Sequence, residues 1–395
     1  MKNQPMKPTV LILCAASPLN DPRPNRMIQW LKNDYVLKVV KGKGLDVEIT
    51  TADGEQIGGM KPMNAPARIV TRTIRMILIV LRLYHVVINM ENRFIRRVLD
   101  PLAKNGVDAI VVHDLVLLPR AFNAARKGKT KVLFDAREYY PREFESQAWW
   151  RWFVQPFNRF LCERYLRRCD KIITVSQGIA EEYRKEYGVT AEVVMSLTTY
   201  ADLQPQPPKE DAVRIIYHGQ ASPDRQIDRM VRMMDNLDER FSLDLMLVSP
   251  GSAHRSYYQT IAQMVKGKPR VRIIPPVPMK NIVDHTNQYD VGLFICPPTT
   301  FNLQFALPNK FFEYIQARLV VAIGPSVEMQ RIVNEYDCGV VAESFEPRAL
   351  ADVLGKLDVA DIARYKNNSH RAAQELNASK NATRIQTMVR DMIHG

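Results

Sequence analysis

Short apolar segments alternate with longer amphipathic ones along the first half of the chain. The clearest apolar runs, rich in Val, Ile and Leu and of the length of buried strands, lie at residues 9–14, 36–40, 47–50, 108–113, 131–135 and 171–175. A polar loop follows the first run, and a helix is predicted from about Asn25. Strand, loop and helix open a βαβ unit, so the alternation predicts a parallel, doubly wound α/β sheet.

The pattern is interrupted once and then starts again. Residues 201–212 are polar and rich in proline, as expected of a linker. Beyond them, apolar runs recur at residues 213–217, 243–248, 271–274, 291–295 and 319–323. We therefore predict an N-terminal domain at 1–200 and a second Rossmann-like domain at 213–370. A last helix at 371–395 follows the second strand pattern, and we expect it to pack back on the first domain.

Charge and cysteine usage narrow the class of protein. The 55 basic and 42 acidic residues give a net charge of +13, which favours an anionic partner such as a phosphorylated substrate or a lipid surface. No helix-turn-helix, zinc-finger or RNA-binding signature is present, so nucleic acid is not an expected partner. The five cysteines are scattered without a C-x-x-C pair, which argues against both a disulfide framework and a zinc site. The expected compartment is therefore the cytoplasm.

Residues 68–98 form the one segment that raises the question of a membrane. The apolar stretch is interrupted by Arg75, Arg82 and His85, which makes it a poor bilayer span. One interpretation is an amphipathic helix whose basic face lies on anionic lipid, which would attach the protein peripherally to the inner face of the plasma membrane. The other is an ordinary core helix with solvated arginines.

The segment at residues 307–314 contains the strongest candidate chemistry. Pro308 suits the first turn of a helix, whose free N–H groups point at any anion placed before it. Lys310 adds a positive charge in that turn, so Asn309 and Lys310 could hold a pyrophosphate without a metal. Glu313 lies one turn later on the same face and could accept both hydroxyls of a ribose. A capped surface helix carrying a Lys and a Glu is the alternative.

Other candidates stand where predicted strands end, because open α/β sheets bind ligands at the carboxyl ends of their strands. His113 ends a strand, although a lone His is more often held by loop backbone. Arg225 lies near a helix start and could clamp a phosphate, or could simply be solvated. Asp21 and Arg23 occupy the analogous loop of the first domain, and Glu138 follows another strand, so these three are candidate acceptor contacts.

Several enzyme classes are disfavoured by missing motifs. The sequence contains no P-loop, no G-x-S-x-G elbow, no H-E-x-x-H and no G-x-G-x-x-G after the first strand. No D-x-D loop follows a strand, which argues against a metal-bound nucleotide sugar.

Taken in order, these motifs resemble the retaining GT-B glycosyltransferases of family four, in the group that builds capsular, exopolysaccharide and O-antigen (lipopolysaccharide) chains. The matching stretches are residues 20–23, 112–114, 134–138, 173–176, 217–219, 276–278, 289–292 and 307–314. The resemblance implies a GT-B architecture, in which two Rossmann-like domains face a central cleft. It also implies a nucleotide-diphosphate sugar of the UDP or GDP type as co-substrate, with no other cofactor and no metal.

The resemblance further implies roles for individual residues. Arg225 and Lys310 would hold the diphosphate as it leaves, and Glu313 would bind the donor ribose. His113 would contact the donor sugar near the reacting carbon. Val277 would lie beside the base, and Gly219 belongs to the same donor-binding set. The acceptor, a saccharide or a polyprenyl-diphosphate-linked saccharide, would lie mostly on the first domain.

The chain departs from the family pattern at three positions. The wider family has a Glu eight residues before the position of Glu313, where this chain has Phe305. Family members often have His in place of Arg137 and Gly in place of Arg318. The expected function is a hexosyl transfer with retention. The alternatives are a degenerate relative that serves as a scaffold in polysaccharide assembly, which Phe305 suggests, and a nucleotide-sugar epimerase.

Overall fold

The computed structural model describes residues 7–18, 21–42, 47–59, 64–104, 106–125, 129–248 and 255–395. The chain divides into two compact units. The first comprises Met1–Met195 together with Ala382–Gly395, and the second comprises Ser196–Asn381. Asn20, in one of the motifs above, and residues 249–251, after a predicted strand, lie outside the described residues.

The first unit contains a sheet of eight strands in the order β4-β3-β2-β1-β5-β6-β7-β8. Its strands are β1 (Thr9–Cys14), β2 (Val36–Lys41), β3 (Glu48–Thr51), β4 (Gln56–Gly59), β5 (Ala109–Val112), β6 (Lys131–Ala136), β7 (Lys171–Thr174) and β8 (Glu192–Val193). The six strands from β2 to β8 in this order are parallel. The edge strands β3 and β4 are antiparallel. This edge departs from the parallel arrangement that the alternation predicts, because only a few residues of sequence separate β2, β3 and β4, and a parallel pair needs a long crossover.

The helices of the first unit are α1 (Pro22–Leu31), α2 (Ala65–Val80), α3 (Tyr84–Lys104), α4 (Leu118–Ala124), α5 (Ala148–Phe153), α6 (Gln155–Tyr165) and α7 (Gln177–Tyr187). Helix α1 begins three residues earlier than predicted, because the Asp21 carboxylate accepts a hydrogen bond from the Arg23 amide and Pro22 suits the first turn. The single helix predicted at 68–98 is instead two helices, α2 and α3. Arg82, between them, has a φ of 57°, which no α-helix tolerates.

The second unit contains a sheet of six parallel strands in the order β11-β10-β9-β12-β13-β14. They are β9 (Val213–Gln220), β10 (Phe241–Val248), β11 (Val271–Ile274), β12 (Val291–Phe294), β13 (Val320–Ile323) and β14 (Gly339–Val341). The helices are α8 (Ile227–Met233), α9 (Arg255–Val265), α10 (Ile282–Thr286), α11 (Phe301–Gln304), α12 (Asn309–Gln316), α13 (Val327–Tyr336), α14 (Pro347–Gly355) and α15 (Val359–Glu375). The last helix, α16 (Ala378–His394), belongs to the first unit from Ala382 onward. The predicted α/β fold with two parallel-sheet domains is confirmed.

The end of the chain returns to the first sheet. The apolar face of α16 belongs to a core cluster that also contains Val10 and Ile12 of β1 and Met27 of α1. Ile385 and Val389 of α16 are fully buried there. The chain thus leaves the first unit after Met195 and rejoins it at Ala382.

Candidate functional site

In the second unit, the end of β9 and the start of α12 bring several predicted donor-binding residues together. Lys310 Nζ donates a hydrogen bond of 2.9 Å to the hydroxyl of Tyr217 and lies 4.1 Å from the centre of that ring. The ring of Phe294 lies 5.2 Å from the same amine. Pro308 is the residue before the helix, with an extended ψ of 149°, rather than part of its first turn as predicted.

Gly219 is packed against this lysine. A β-carbon built on Gly219 would lie 2.6 Å from Lys310 Nζ, closer than real β-carbons approach a neighbour. Its φ of 138° is also one that residues with a side chain rarely adopt. A glycine at this position therefore lets the strand end pass close to the amine, and any side chain would move Lys310.

Burial changes the chemistry of Lys310. Removal from water, with a smaller contribution from the positive charge of Arg225, lowers the pKa of its amine to about 7. Arg225 ends a short 3₁₀ helix, Pro223–Arg225, and its Nη1 lies 4.0 Å from Cys296 Sγ. Among the described residues, neither Arg225 nor Lys310 has a carboxylate within 4.0 Å of its charged nitrogens. Two cationic groups thus lie close enough to influence each other, and an anion between them would relieve their repulsion.

Glu313 lies beside a histidine that sequence analysis did not single out. Its Oε2 is 3.4 Å from His218 Nε2, and both side chains are largely buried. Burial, helped by the charge of Lys310, lowers the pKa of His218 to about 3, so the imidazole is neutral at physiological pH. The pair is therefore a carboxylate beside a neutral ring, and the carboxylate keeps its capacity to accept hydrogen bonds from a ligand.

The tyrosine that follows Glu313 fixes the position of β9. Its hydroxyl accepts a hydrogen bond of 3.4 Å from the His218 amide and donates one of 3.2 Å to the Leu293 carbonyl. A β-carbon on Gly292 would lie 2.3 Å from the Tyr314 ring. Tyr314 thus joins α12 to two strands, which holds Glu313 and Lys310 at the strand ends.

Three further positions complete the description of the second unit. Asn309 begins α12, and its buried Oδ1 makes no hydrogen bond within the described residues. Val277 lies in the irregular segment after β11 and is half-buried. Its place beside a base remains a prediction. Phe305 packs against Phe301, with 4.9 Å between ring centres, so an apolar pair occupies the position of the family's Glu.

In the first unit, His113 belongs to a buried polar cluster at the carboxyl ends of β5 and β6. Its Nδ1 lies 2.9 Å from Asp135 Oδ2, and both side chains are fully buried. Arg23 donates to both oxygens of Asp135 at 2.6 to 2.9 Å and also to the Val194 carbonyl at 2.8 Å. Burial would raise the pKa of Asp135, but Arg23 and His113 hold it well below its usual range.

A second ion cluster adjoins the first at the same strand ends. Arg137 donates to Asp21 and, at 3.2 Å, to Asp114 Oδ1. Asp114 Oδ2 in turn accepts from the Ala15 amide at 2.9 Å. Arg137, which occupies a position where relatives often have His, therefore ties the loop after β1 to the loops after β5 and β6.

The structure separates the predicted acceptor residues by their surroundings. Arg23 is 8% exposed, and its guanidinium is hydrogen-bonded to Asp135. It therefore positions that carboxylate. Asp21 caps α1 and meets Arg137. Glu138 is half-buried, and its carbonyl accepts a hydrogen bond of 2.8 Å from the Tyr183 hydroxyl. Contact of any of them with an acceptor remains a prediction.

Sequence reasoning gave no role at a site to five residues of these clusters: Asp114, Asp135, Arg137, Tyr217 and His218. Each lies within the motifs quoted above. Their position in the last residues of a strand, or just beyond it, was the available signal. For the described parts of the chain, no group of three His, Cys, Asp or Glu residues is arranged to hold a metal, and no helix is long and apolar enough to cross a membrane.

The chain is similar to known proteins in part of its sequence and in its fold. Residues 42–197 match the sequence profile of Glycosyltransferase Family 4. A search of curated protein sequences gives no match. Sucrose-phosphate synthase from Thermosynechococcus elongatus superposes with a TM-score of 0.70 at 12% identity, over 98% of this chain and 100% of that one.

Two ligand complexes are also similar in structure. Anabaena HepE in complex with UDP and glucose gives a TM-score of 0.64 at 10% identity, over 97% of this chain and 99% of that one. A Staphylococcus aureus TarM variant, in complex with fondaparinux, α-GlcNAc-glycerol and UDP, gives 0.57 at 9% identity. That match covers 74% of this chain and 58% of TarM. At these identities the likeness shows the fold alone: two parallel-sheet domains of the type found in GT-B glycosyltransferases.

Proposed function

We propose that this chain is a glycosyltransferase that moves a sugar from a nucleotide-diphosphate sugar to a saccharide acceptor. The observation that carries the proposal is the cluster at the strand ends of the second unit. There Lys310 packs on Gly219 and Tyr217, while Glu313 lies one helical turn away beside a neutral His218. The match of residues 42–197 to Glycosyltransferase Family 4 supports the same activity.

In this proposal the second unit binds the donor. Lys310 and Arg225 stabilise the negative charge that grows on the diphosphate as the glycosidic bond breaks. Asn309 and the first amides of α12 add donors at the helix start. The Glu313 carboxylate accepts hydrogen bonds from the ribose hydroxyls. Val277 lies beside the base, and Gly219 leaves room for the phosphates.

The finer parts of the proposal follow the family resemblance. The transfer is of a hexosyl group, retains the anomeric configuration and needs no metal. The donor is of the UDP or GDP type, and the product belongs to a bacterial surface polysaccharide such as capsule or lipopolysaccharide. The leaving diphosphate itself helps to deprotonate the acceptor on the same face, so the protein supplies position and charge. His113 contacts the donor sugar, and the acceptor meets Asp21, Arg23 and Glu138. The enzyme is cytoplasmic.

One observation favours a second candidate, a catalytically degenerate protein that acts as a scaffold in polysaccharide assembly. Phe305 is packed on Phe301 at the position where the family has a Glu that touches donor-sugar hydroxyls. An aromatic side chain cannot make those hydrogen bonds. A scaffold would still bind a nucleotide but would not turn over a donor. The epimerase alternative has no comparable support, because it needs carboxylate and His groups where Phe305 stands.

Thermal unfolding with a panel of nucleotides tests the proposal. The panel contains UDP, GDP, ADP and CMP together with the common nucleotide sugars of the diphosphates, each added with and without EDTA. A ligand at about 100 times its dissociation constant adds roughly 2.7 kcal/mol to the free energy of unfolding. We expect one diphosphate to raise the unfolding midpoint in EDTA, and Glu313→Ala to abolish the rise. An acceptor is then added to the nucleotide sugar of that diphosphate. Release of the free diphosphate shows an enzyme, and binding without release shows a scaffold.

Matched variants make this result specific to the site. Gly219→Ala and Gly267→Ala both place a side chain at a positive φ, but only the first meets Lys310, since nothing lies within 4 Å of Gly267. We expect Gly219→Ala to weaken nucleotide binding at least about tenfold and Gly267→Ala to leave it unchanged. Glu335→Ala, an exposed carboxylate in α13, is the control for Glu313→Ala. If no nucleotide shifts the midpoint, the proposal fails.

A further inference from the structure

Helix α2 exposes its apolar side chains to solvent, whereas a normal surface helix buries them. Ile79 is its single buried residue among those described. Its large apolar side chains point to solvent: Ile69 is 63% exposed, Val70 55%, Ile74 44% and Ile77 51%. At 100° per residue these four fall within one half of the helix circumference, while Arg68, Arg72 and Arg75 share the opposite side with Ile79. Exposure of such an apolar face to water is unfavourable, which indicates that an apolar partner covers it.

Helix α5 adds an aromatic part to this surface. Trp149 is 53% exposed and Trp152 is 74% exposed, while Trp150 is buried. Phe144, just before the helix, is 47% exposed and contacts Trp150 edge to face at 6.1 Å. Exposed tryptophans mixed with arginines are typical of surfaces that lie at the boundary between lipid and water.

A cavity of about 540 Å³ is lined by residues from both helices. Arg72 and Arg75 of α2, with Trp149 and Trp150 of α5, form part of its wall. This volume lies within the usual range for a pocket that binds a small molecule. The cavity contains none of the residues assigned above to the donor or to the acceptor, and it also reaches Asp114.

The charges in the cavity wall leave a binding place for an anion on its α2 side. Arg75 Nε lies 2.7 Å from Glu91 Oε1, and Arg120 Nη2 lies 3.5 Å from Glu91 Oε2, so two guanidinium groups share one carboxylate. Arg120 and Glu91 are both buried. The side chain of Arg72 is exposed and makes no ion pair within the described residues. Glu143 and Asp114 are the other acids of the wall, and Asp114 Oδ1 lies 3.2 Å from Arg137 Nη2.

We propose that the exposed face of α2 and α5 docks on an anionic lipid leaflet, and that the cavity beside it receives the phosphate-bearing head of an amphiphile from that leaflet. Arg72 and Arg75, on the side of α2 opposite its apolar face, line the cavity that would receive the phosphate, and the net charge of +13 favours an anionic leaflet. Because the protein is strongly cationic overall, its apolar face fits an anionic leaflet better than it fits a second copy of the same protein. That the amphiphile is the sugar acceptor rests on the proposed function, but the docking and the binding do not.

Tryptophan fluorescence tests the docking directly, because three of the four tryptophans, Trp149, Trp150 and Trp152, lie in α5. Vesicles of phosphatidylcholine, with or without phosphatidylglycerol, carry bromine on their acyl chains. We expect quenching by the anionic vesicles only. The Ile74→Glu/Ile77→Glu variant should bind them at least about tenfold less. Met279→Glu/Val327→Glu, an equal change of charge at exposed apolar positions of the second unit, should bind as the unchanged protein does.

Three outcomes would overturn the docking: no quenching, equal quenching in the two double variants, or a dimer in light scattering that Ile74→Glu/Ile77→Glu abolishes. The last would show that a second copy covers the face. The rise of the unfolding midpoint with nucleotide is measured on the same double variants, and we expect it to equal that of the unchanged protein. Failure of the docking is therefore distinguishable from failure of the proposed function.

The cavity is tested with farnesyl phosphate in monomeric form, compared with farnesol and with inorganic phosphate. We expect only farnesyl phosphate to raise the unfolding midpoint, and Arg72→Ala to weaken its binding about tenfold. Arg232→Ala, an exposed arginine of the second unit, should have no effect. Equal binding of farnesol would show a merely apolar surface, and equal binding of inorganic phosphate a simple anion site. Either result, or no binding, would refute an amphiphile site.

Discussion

Lys310 illustrates how neighbouring residues set the chemistry of one side chain. The amine packs between the rings of Tyr217 and Phe294, and Gly219 allows the strand end to approach it. Because water is excluded and Arg225 is near, the ammonium form is disfavoured and the pKa of Lys310 falls to about 7. A bound diphosphate would reverse this by favouring the ammonium form.

Nucleotide affinity should therefore depend on pH. Below about pH 7 the amine of the free protein is already protonated, whereas above it binding must take up a proton. We expect the dissociation constant of the nucleotide diphosphate to rise by up to about tenfold per pH unit between roughly pH 7 and 9. Isothermal titration calorimetry in buffers of different ionisation enthalpy measures both the affinity and the proton uptake.

Lys310→Arg provides the control, because a guanidinium stays protonated throughout this range. Its affinity for the nucleotide should be flat with pH, whatever its absolute value. A flat profile in the unchanged protein, or an equal slope in the variant, would show that another group titrates.

At the scale of elements, Arg318 explains one departure from the family pattern. It follows α12 with a φ of 62°, a conformation that glycine adopts at little cost. Its buried guanidinium donates to the Gln316 carbonyl at 2.6 Å and the Ala201 carbonyl at 2.7 Å, and also contacts His370 at 3.0 Å. These bonds join α12 to the start of the predicted linker and to α15, and they offset the strained backbone.

The last helix, α16, is expected to stabilise the first unit rather than the second. Ile385 is fully buried in the core formed with β1 and α1. Ile385→Ala should lower the free energy of unfolding by about 2–5 kcal/mol, through lost burial and the cavity left behind. Arg390→Ala, an exposed change in the same helix, should cost less than about 0.5 kcal/mol. Denaturant unfolding followed by tryptophan fluorescence, to which Trp30 on this core contributes, reports the difference. Equal effects of the two substitutions would contradict the assigned packing.

At the scale of the whole molecule, each unit contains its own sheet and its own cluster of polar residues at the strand ends. Every residue assigned to the donor, apart from His113, lies within Ser196–Asn381. This continuous segment contains all six strands of its sheet and the helices around them, up to the start of α16.

The fragment Ser196–Asn381 should consequently fold alone and bind the nucleotide diphosphate with an affinity within about tenfold of the full chain. Circular dichroism checks the folding, and calorimetric titration checks the binding. The same fragment with Glu313→Ala should fold equally well without binding. A folded fragment that fails to bind, when the full chain binds, would show that the first unit supplies an essential contact.

The sequence alone predicted the alternation of strands and helices in both units, because burial of a parallel sheet on both faces demands continuous apolar runs of strand length. The short strands β4, β8 and β14 were not predicted. The sequence also singled out Lys310 and Glu313 as candidates, since helix starts are visible as changes of pattern, whereas Gly219 came from the family resemblance. Local sequence did not reveal the antiparallel edge of the first sheet or the break at Arg82. Strand direction depends on which neighbour a segment pairs with, and the break depends on a single backbone dihedral.

Which side chains those residues contact, and how deeply they are buried, could be determined only from the tertiary structure. Asp135 and Arg23 are 112 positions apart, and no spacing rule links them. The reduced pKa of Lys310 arises from burial by segments that are distant in sequence. The outward apolar face of α2 is readable as a helix pattern, but which side faces solvent is a property of packing. The periodicity of apolar residues indicates the helices and strands. Burial, strand pairing and the charges around a residue depend on contacts between segments that are distant in sequence.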